Sequence, residues 1–502
     1  MLLILYPILL LVLFGILTPI IGKISKRIGF PNLVGGWSFF GFVIALTYAL
    51  RLVSPLKENG ILTYTLFPDI NPSITGFFAV DWLGFFFSTI FLALGLISSF
   101  YSVEYMAHDT GLGEYYSLLL LMVAGMVGLV YAGDFITFYV FWELMSISSY
   151  CLVGFRKHLW ESIEAGFKYL IMSAAGSAII LFSLSIIYGL TGTLSFANIA
   201  SSLLYVSSSP LLSLVFILLV AGFGVKAAVV PFHFWLPDAH PAAPSPISAM
   251  LSGVVIKTGI FALIRTTYLF FAPNLVDFHL AFAVLSVLTM SVGNIMALVQ
   301  KDIKRLLAYS SIGQIGYILI SISLGTEYGL TGGLLHVFNH AVMKGLAFLC
   351  AGAIIHVTGS RNIDDLIGVG RKMPITAITF AIALLSLSGV PFLNGFVSKY
   401  VIFAAAIEAK AYLLTVIGLL NSGLSAVYYL RLIQLIMIRK PQGKTAEVKE
   451  ASILILVPLV VMAFICILFG VWPDPVYNVA EAASAAAMSK VKYILLVLAK
   501  SH

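Results

Sequence analysis

The sequence predicts an all-α membrane protein of about fourteen transmembrane helices, forming a single polytopic domain over residues 1–502. Three observations predict this class. Hydrophobic residues make up 61% of the chain and charged residues only 10%, against roughly 25% charged in a typical soluble domain. Apolar runs long enough to cross a bilayer recur from end to end, with the basic residues in the short stretches between them. Two of the runs are interrupted by a proline inside the same three-residue word. A mean hydropathy of +1.06 excludes a soluble fold, and a nucleic-acid partner with it. The formal charge of +7 is then a matter of topology.

A spanning helix needs about 20 mostly apolar residues. Candidate spans lie near 1–22, 32–54, 80–102, 115–133, 134–155, 164–190, 211–231, 246–271, 279–299, 303–325, 330–355, 374–407, 411–436 and 451–472. Residues 1–22 carry no basic region before the apolar run and no small-residue cleavage site, so they read as a retained helix. The run 374–407 is too long for one simple span and is broken by Gly389, Pro391 and Gly395. The stretch 491–499 is too short to cross. Cys151, Cys350 and Cys466 all lie in apolar segments without ligand or pairing spacing, so neither a disulfide framework nor a metal site is expected.

Numbering each loop by the helix it follows, the odd loops hold Lys23, Lys26, Arg27, Arg156, Lys157, Lys301, Lys304, Arg305, Arg361, Arg371, Lys372, Arg439, Lys440, Lys444 and Lys449. The even loops hold Lys57 and Lys410. Basic loops stay inside, so both termini are expected outside a cell or inner membrane.

The seventh span ends in VVPFHFW, with Pro231, and the twelfth contains GVPFLNG, with Pro391. Asp134 opens the fifth and Asp302 the tenth; Lys168 and Lys344 each precede an Ala-Gly step. The offsets, about 160 to 176 residues, predict a repeat of helices 4–8 (113–271) and 9–13 (279–436), preceded by helices 1–3 (1–112) and followed by helix 14 and a tail (437–502). Five is odd, so the second copy is inverted, a plan that transporters use around interrupted helices.

A charge at mid-bilayer costs from about 2.5 kcal/mol upward and is a functional candidate by default. Glu143 is the one carboxylate placed near a helix centre. Lys226 is placed mid-helix 7, Lys257 near the centre of helix 8, and Lys399 just past the helix 12 break. His336, His340 and Lys344 follow at i, i+4 and i+8, sharing one helix face. A buried lysine beside a carboxylate can gain or lose a proton near neutral pH, and histidine titrates there already. Such a file suits proton relay, not a cation cage, which would need clustered carboxylates. Lys168, His233, Asp238 and His240 are auxiliary candidates toward an entrance, with snorkelling, capping or turn formation as the plain alternatives. Arg265 is expected to anchor or snorkel.

The most specific stretches are GDFITFYVFWE (133–143), KAAVVPFHFWLPDAH (226–240), SPISAMLSGVVIK (245–257), HVFNHAVMK (336–344) and GFVSK (395–399). By these the chain resembles the antiporter-like membrane subunits of respiratory complex I, Mrp-type sodium/proton antiporters and membrane-bound hydrogenases. The resemblance implies a fourteen-helix fold with broken helices 7 and 12. It implies that Glu143 modulates Lys226, that Lys257 and the helix 11 residues bridge two half-channels, and that Lys399 faces the other side. It also implies a subunit that moves protons, or sodium in exchange for them, beside other membrane subunits and a peripheral redox arm. A sodium/proton antiporter subunit without redox chemistry is the alternative. No flavin, iron–sulfur, nickel or quinone motif is legible, so no cofactor is expected in this chain.

Overall fold

The computed structural model describes residues 2–499 except 31, 67–75, 207, 272, 274, 442–444 and 446. Lys444 of the basic loops lies outside the described residues. Among the described residues, thirteen helices are long and apolar enough to cross a membrane. They are α1 (Tyr6–Ile28), α2 (Asn32–Asn59), α3 (Trp82–Tyr105), α4 (Leu112–Tyr131), α5 (Phe135–Val153), α6 (Trp160–Thr191), α7 (Pro210–Ala227), α8 (Ser245–Phe270), α9 (Phe278–Leu298), α10 (Ile303–Leu324), α11 (Glu327–Thr358), α13 (Tyr412–Ile438) and α14 (Ile453–Val471). Where the sequence places the remaining span, two shorter helices, Pro374–Ser388 and Asn394–Glu408, flank the second proline and together are called α12. The chain is thus a multi-pass membrane protein, as its composition predicts.

The two breaks follow from proline. Proline at position i removes the bond to the carbonyl of i−4 and clashes with it. Pro231 sets that point at Ala227, where α7 ends; Ala228 then turns left-handed, φ 54°. A short helix, Trp235–Ala242, resumes after the turn. Lys226 therefore stands in the last turn of α7, a correction to its expected mid-helix position. Pro391 sets the same point at Leu387, and the first half of α12 ends one residue later, at Ser388, before left-handed Gly389, φ 90°. The break is held by Ser386 Oγ donating to Asn394 Oδ1 (2.5 Å) and by Asn339 Nδ2 donating to the Asn394 carbonyl (2.6 Å).

The loops sort onto two faces. On one, Arg361 pairs with Glu161 and Asp302, and Arg305 with Asp238, which gathers the loops after helices 5, 7, 9 and 11. On the other, the loop after α2 forms a hairpin, Leu62–Thr65 against Phe77–Val80. Phe77 N–H donates to Asp134 Oδ2 (2.9 Å), and Gly133 N–H donates to the Phe77 carbonyl (2.8 Å). After α14 come two short helices: Asp474–Met488, which the sequence does not mark, and Lys490–Leu498, which forms the apolar stretch too short to cross. Asp474–Met488 packs back onto α3, α8 and α11, and Lys490–Leu498 packs onto the short helix Phe196–Ser202.

Helices α7 and α8 meet without a spacer at Gly259, where a Cβ would lie 2.6 Å from Ala227 N and 2.7 Å from Phe223 O. Gly259→Ala must part the two helices that carry Lys226 and Lys257. Overpacking of this kind costs about 1–3 kcal/mol, so the purified protein is expected to melt earlier. An unchanged melting temperature would contradict the contact.

Candidate functional site

Asp134 fixes the start of α5 by accepting from Thr137 N–H (2.8 Å). That places Glu143 at mid-helix, half-buried, with Oε1 buried and without a hydrogen-bond partner. Lys226 is 1% exposed. Its Nζ donates to Tyr169 Oη (3.1 Å) and Ser173 Oγ (2.9 Å), both on α6. It lies 4.7 Å from the centroid of the Tyr169 ring and 5.8 Å from that of Trp142. The Trp235 ring stacks on Tyr169 at 3.9 Å and donates Nε1–H to the Val225 carbonyl (2.7 Å), closing the break over the lysine. Glu143 is within electrostatic reach of Lys226 but makes no ion pair with it within 4.0 Å among the described residues. The two groups are near each other, yet not locked.

A second cluster begins in α8, where one turn, Leu251–Val255, widens to a π turn. Such bulges free backbone carbonyls and recur at functional sites. The Ser252 carbonyl in that turn accepts from Lys257 Nζ. Lys257 Nζ also lies 2.5 Å from His340 Nδ1. An ammonium has only donors, and imidazole can accept, so Lys257 can donate to His340 Nδ1. His340 stacks on His336 at 6.1 Å. His336 bridges Ser398 Oγ (2.9 Å) and Gln314 Oε1 (3.0 Å). Next to Ser398, Lys399 Nζ donates to the Leu387 (2.9 Å) and Ser388 (3.3 Å) carbonyls and to Ser422 Oγ (3.0 Å). Leu387 is the residue whose carbonyl loses its partner to Pro391, so the break itself makes the lysine's seat at the negative end of a half-helix. Lys344 Nζ donates to the Leu307 carbonyl (3.1 Å) and to Ser310 Oγ on α10.

The structure therefore groups Lys257 with His340, across two helices, and leaves Lys226 with α6. Lys257, His336, His340 and Lys344 have no exposed surface, and Lys399 is 3% exposed.

The auxiliary residues divide. Lys168 is half-exposed and bonds Glu164 (2.9 Å) and Asp238 (3.1 Å), while Asp238 also pairs with Arg305 (3.0 Å). These form a surface network at the odd-loop face. Lys168 is in the first third of α6 and Lys344 is midway along α11, two helices of 32 residues each. Their levels do not match, which corrects that pairing. His233 is buried in the turn after α7 with Nδ1 unpartnered. His240 is fully buried, stacked on Phe348 at 4.4 Å, with neither ring nitrogen bonded. Lys304 belongs to this group but was expected only as a loop marker. It is 3% exposed and its Nζ donates to the Ala243 carbonyl (2.6 Å). A basic residue at a helix start gives no sequence signal that separates an inward from an outward side chain.

Arg265 does not snorkel. It is 4% exposed and holds Asp81 bidentately, Nη1–Oδ2 and Nη2–Oδ1 both at 2.7 Å. Phe261 and Tyr493 rings cover it at 5.4 and 5.2 Å.

Residues 132–425 match the family described as NADH:quinone oxidoreductase/Mrp antiporter, transmembrane. The chain belongs to this family. The F420H2 dehydrogenase subunit N of Methanosarcina mazei is 34% identical over 92% of this chain and 94% of that protein. The NADH-quinone oxidoreductase subunit N of Desulforamulus reducens is 36% identical over 83% of this chain and 87% of that one. Among solved structures, a chain of an archaeal membrane-bound sulfane sulfur reductase superposes with TM-score 0.89 at 28% identity, covering 98% of this chain and 99% of that chain. A chain of Thermus thermophilus respiratory complex I gives TM-score 0.75 at 27% identity over 94% and 98%. A chain of the Mrp complex from a Dietzia species shares the fold, with TM-score 0.86 at 23% identity over 97% and 99%.

Proposed function

We propose that this chain is the proton-translocating, antiporter-like subunit of a multi-subunit energy-converting membrane complex. The observation that carries the reading is the buried file across α8, α11 and α12 in which Lys257 bonds His340, His340 stacks on His336, and His336 bonds Ser398, the chain neighbour of Lys399. Ionisable side chains in a spanning helix are costly and so mark a functional path, and bases joined by hydrogen bonds can pass protons. Glu143 and Lys226 form a separate station whose loose electrostatic coupling lets Lys226 change protonation state. The relatives' names are those of subunits of redox complexes, which supports a peripheral redox arm and further membrane subunits as partners. The chain needs no redox group of its own for this role.

Helices 4–8 and 9–13 form inverted repeats: Glu143, Lys226 and Lys257 lie in the first, and His336, His340, Lys344 and Lys399 in the second. Asp134 and Asp302 support this pairing: each caps its helix, and each bridges to the loop after a 32-residue helix, at Ser195 and Asn362. The odd-loop face is inside and both termini are outside, by the basic-residue asymmetry.

Purifying the native complex tests the assignment. Redox subunits in the partner list are the expected result. A list holding only small membrane subunits would overturn it in favour of sodium/proton antiport driven by ion gradients.

A further inference from the structure

We infer that Lys304 and His240 form a second proton inlet, leading from the odd-loop surface to Lys344 and Lys257 without passing Lys226. The inference rests on the proton-translocating reading above. Lys304 is the second residue of α10, where a lysine ordinarily extends to water or headgroups. Its neighbours Lys301 and Arg305 are exposed. Lys304 instead turns inward to the Ala243 carbonyl (2.6 Å) and is 3% exposed.

Three residues before that carbonyl stands His240. Leaving a buried polar group unbonded is costly, and both of its ring nitrogens are in that state. An aromatic hydrocarbon would fill the stack on Phe348 equally well at no such cost. An imidazole there has two free nitrogens, one to take up a proton and one to release it.

Both ends of the route are built. Inward, Phe348 is one turn from Lys344 on α11, and Lys344 bonds Leu307 and Ser310, in the turns of α10 that follow Lys304. Lys304, Lys344 and Lys257 all lie within electrostatic reach of His240. Outward, Arg361 donates to the Pro241 carbonyl (2.8 Å) and pairs with Glu161 (3.0 Å) and Asp302 (3.3 Å). Those carboxylates are within electrostatic reach of Lys304. A proton gathered at this mouth passes to the Lys304 amine, then to His240, then to Lys344.

The test uses the native complex in sealed vesicles, with a pH-sensitive dye reporting translocation and rates normalised to assembled complex. Lys304→Arg keeps the charge and the donor to Ala243 but cannot release its proton. His240→Phe keeps the stack but removes the relay. Lys304→Met removes both charge and relay. The two inlets load different stations of one coupled cycle, so all three variants are expected to slow translocation several-fold. Wild-type rates in Lys304→Arg would show a purely structural lysine and overturn the inlet, as would wild-type rates in His240→Phe. Should Lys304→Arg not assemble, His240→Phe decides alone. Lys226→Met, run alongside, separates the two levels. Normal rates there remove the translocating reading. A blocked Lys226→Met beside normal inlet variants removes only the second inlet.

Discussion

Vesicles carrying the complex with Lys226→Met, or with Glu143→Gln, translocate protons at least about tenfold more slowly than wild type while assembly is unchanged. Losing a positioned proton-transfer group commonly costs that much or more. Lys226 is buried, and its ammonium is met by two hydroxyls and two aromatic rings, with no carboxylate in direct contact. Glu143 acts through space, so its neutral isostere leaves packing intact and removes only the field that favours the charged lysine. The check is the rate of vesicle acidification per unit of assembled complex. If Glu143→Gln were to lower assembly and leave the rate per complex unchanged, the pair would be a structural one.

Arg265 behaves in the opposite way. Removing one partner of a buried, bidentate pair strands the other charge and costs about 3–5 kcal/mol. Arg265→Leu is therefore expected to reduce assembly and thermal stability severely. Asp81→Leu combined with Arg265→Leu recovers much of the loss, since an apolar pair can replace a buried ion pair at little cost. Full recovery is not expected, because Asp81 also caps α3 by accepting from Gly84 N–H (2.9 Å), a contact worth about 1 kcal/mol. The complex that does assemble pumps near normally. Thermal melts of the single and double variants, with translocation measured on the surviving complex, decide this. A stable Arg265→Leu complex blocked as completely as Lys226→Met would put the ion pair in the proton path.

The legible part of this molecule is the part governed by apolar length and by proline. Spanning runs need only composition, and Val-Pro-Phe marked both breaks because proline acts four residues upstream of itself. The i, i+4 spacing of His336 and His340 likewise gave their shared face. What stayed hidden depends on partners distant in sequence. Asp81 and Arg265 are 184 residues apart, so nothing local distinguishes a clamped arginine from a snorkelling one. Lys304 reads like its exposed neighbours because its fate is set by the Ala243 carbonyl. The π turn before Lys257 carries no proline or glycine pair to announce it. The Ala-rich helix Asp474–Met488 is too short and too polar to register as a span, yet it closes over α3 and α11.

The most direct measurement is proton translocation by the native complex carrying Lys257→Met. Lys257 joins α8 to the histidines of α11 through its hydrogen bond with His340 Nδ1. Methionine fills nearly the same volume without a base. A buried proton file requires the rate per assembled complex to fall at least about tenfold. A wild-type rate with normal assembly would mean that protons do not travel through these residues.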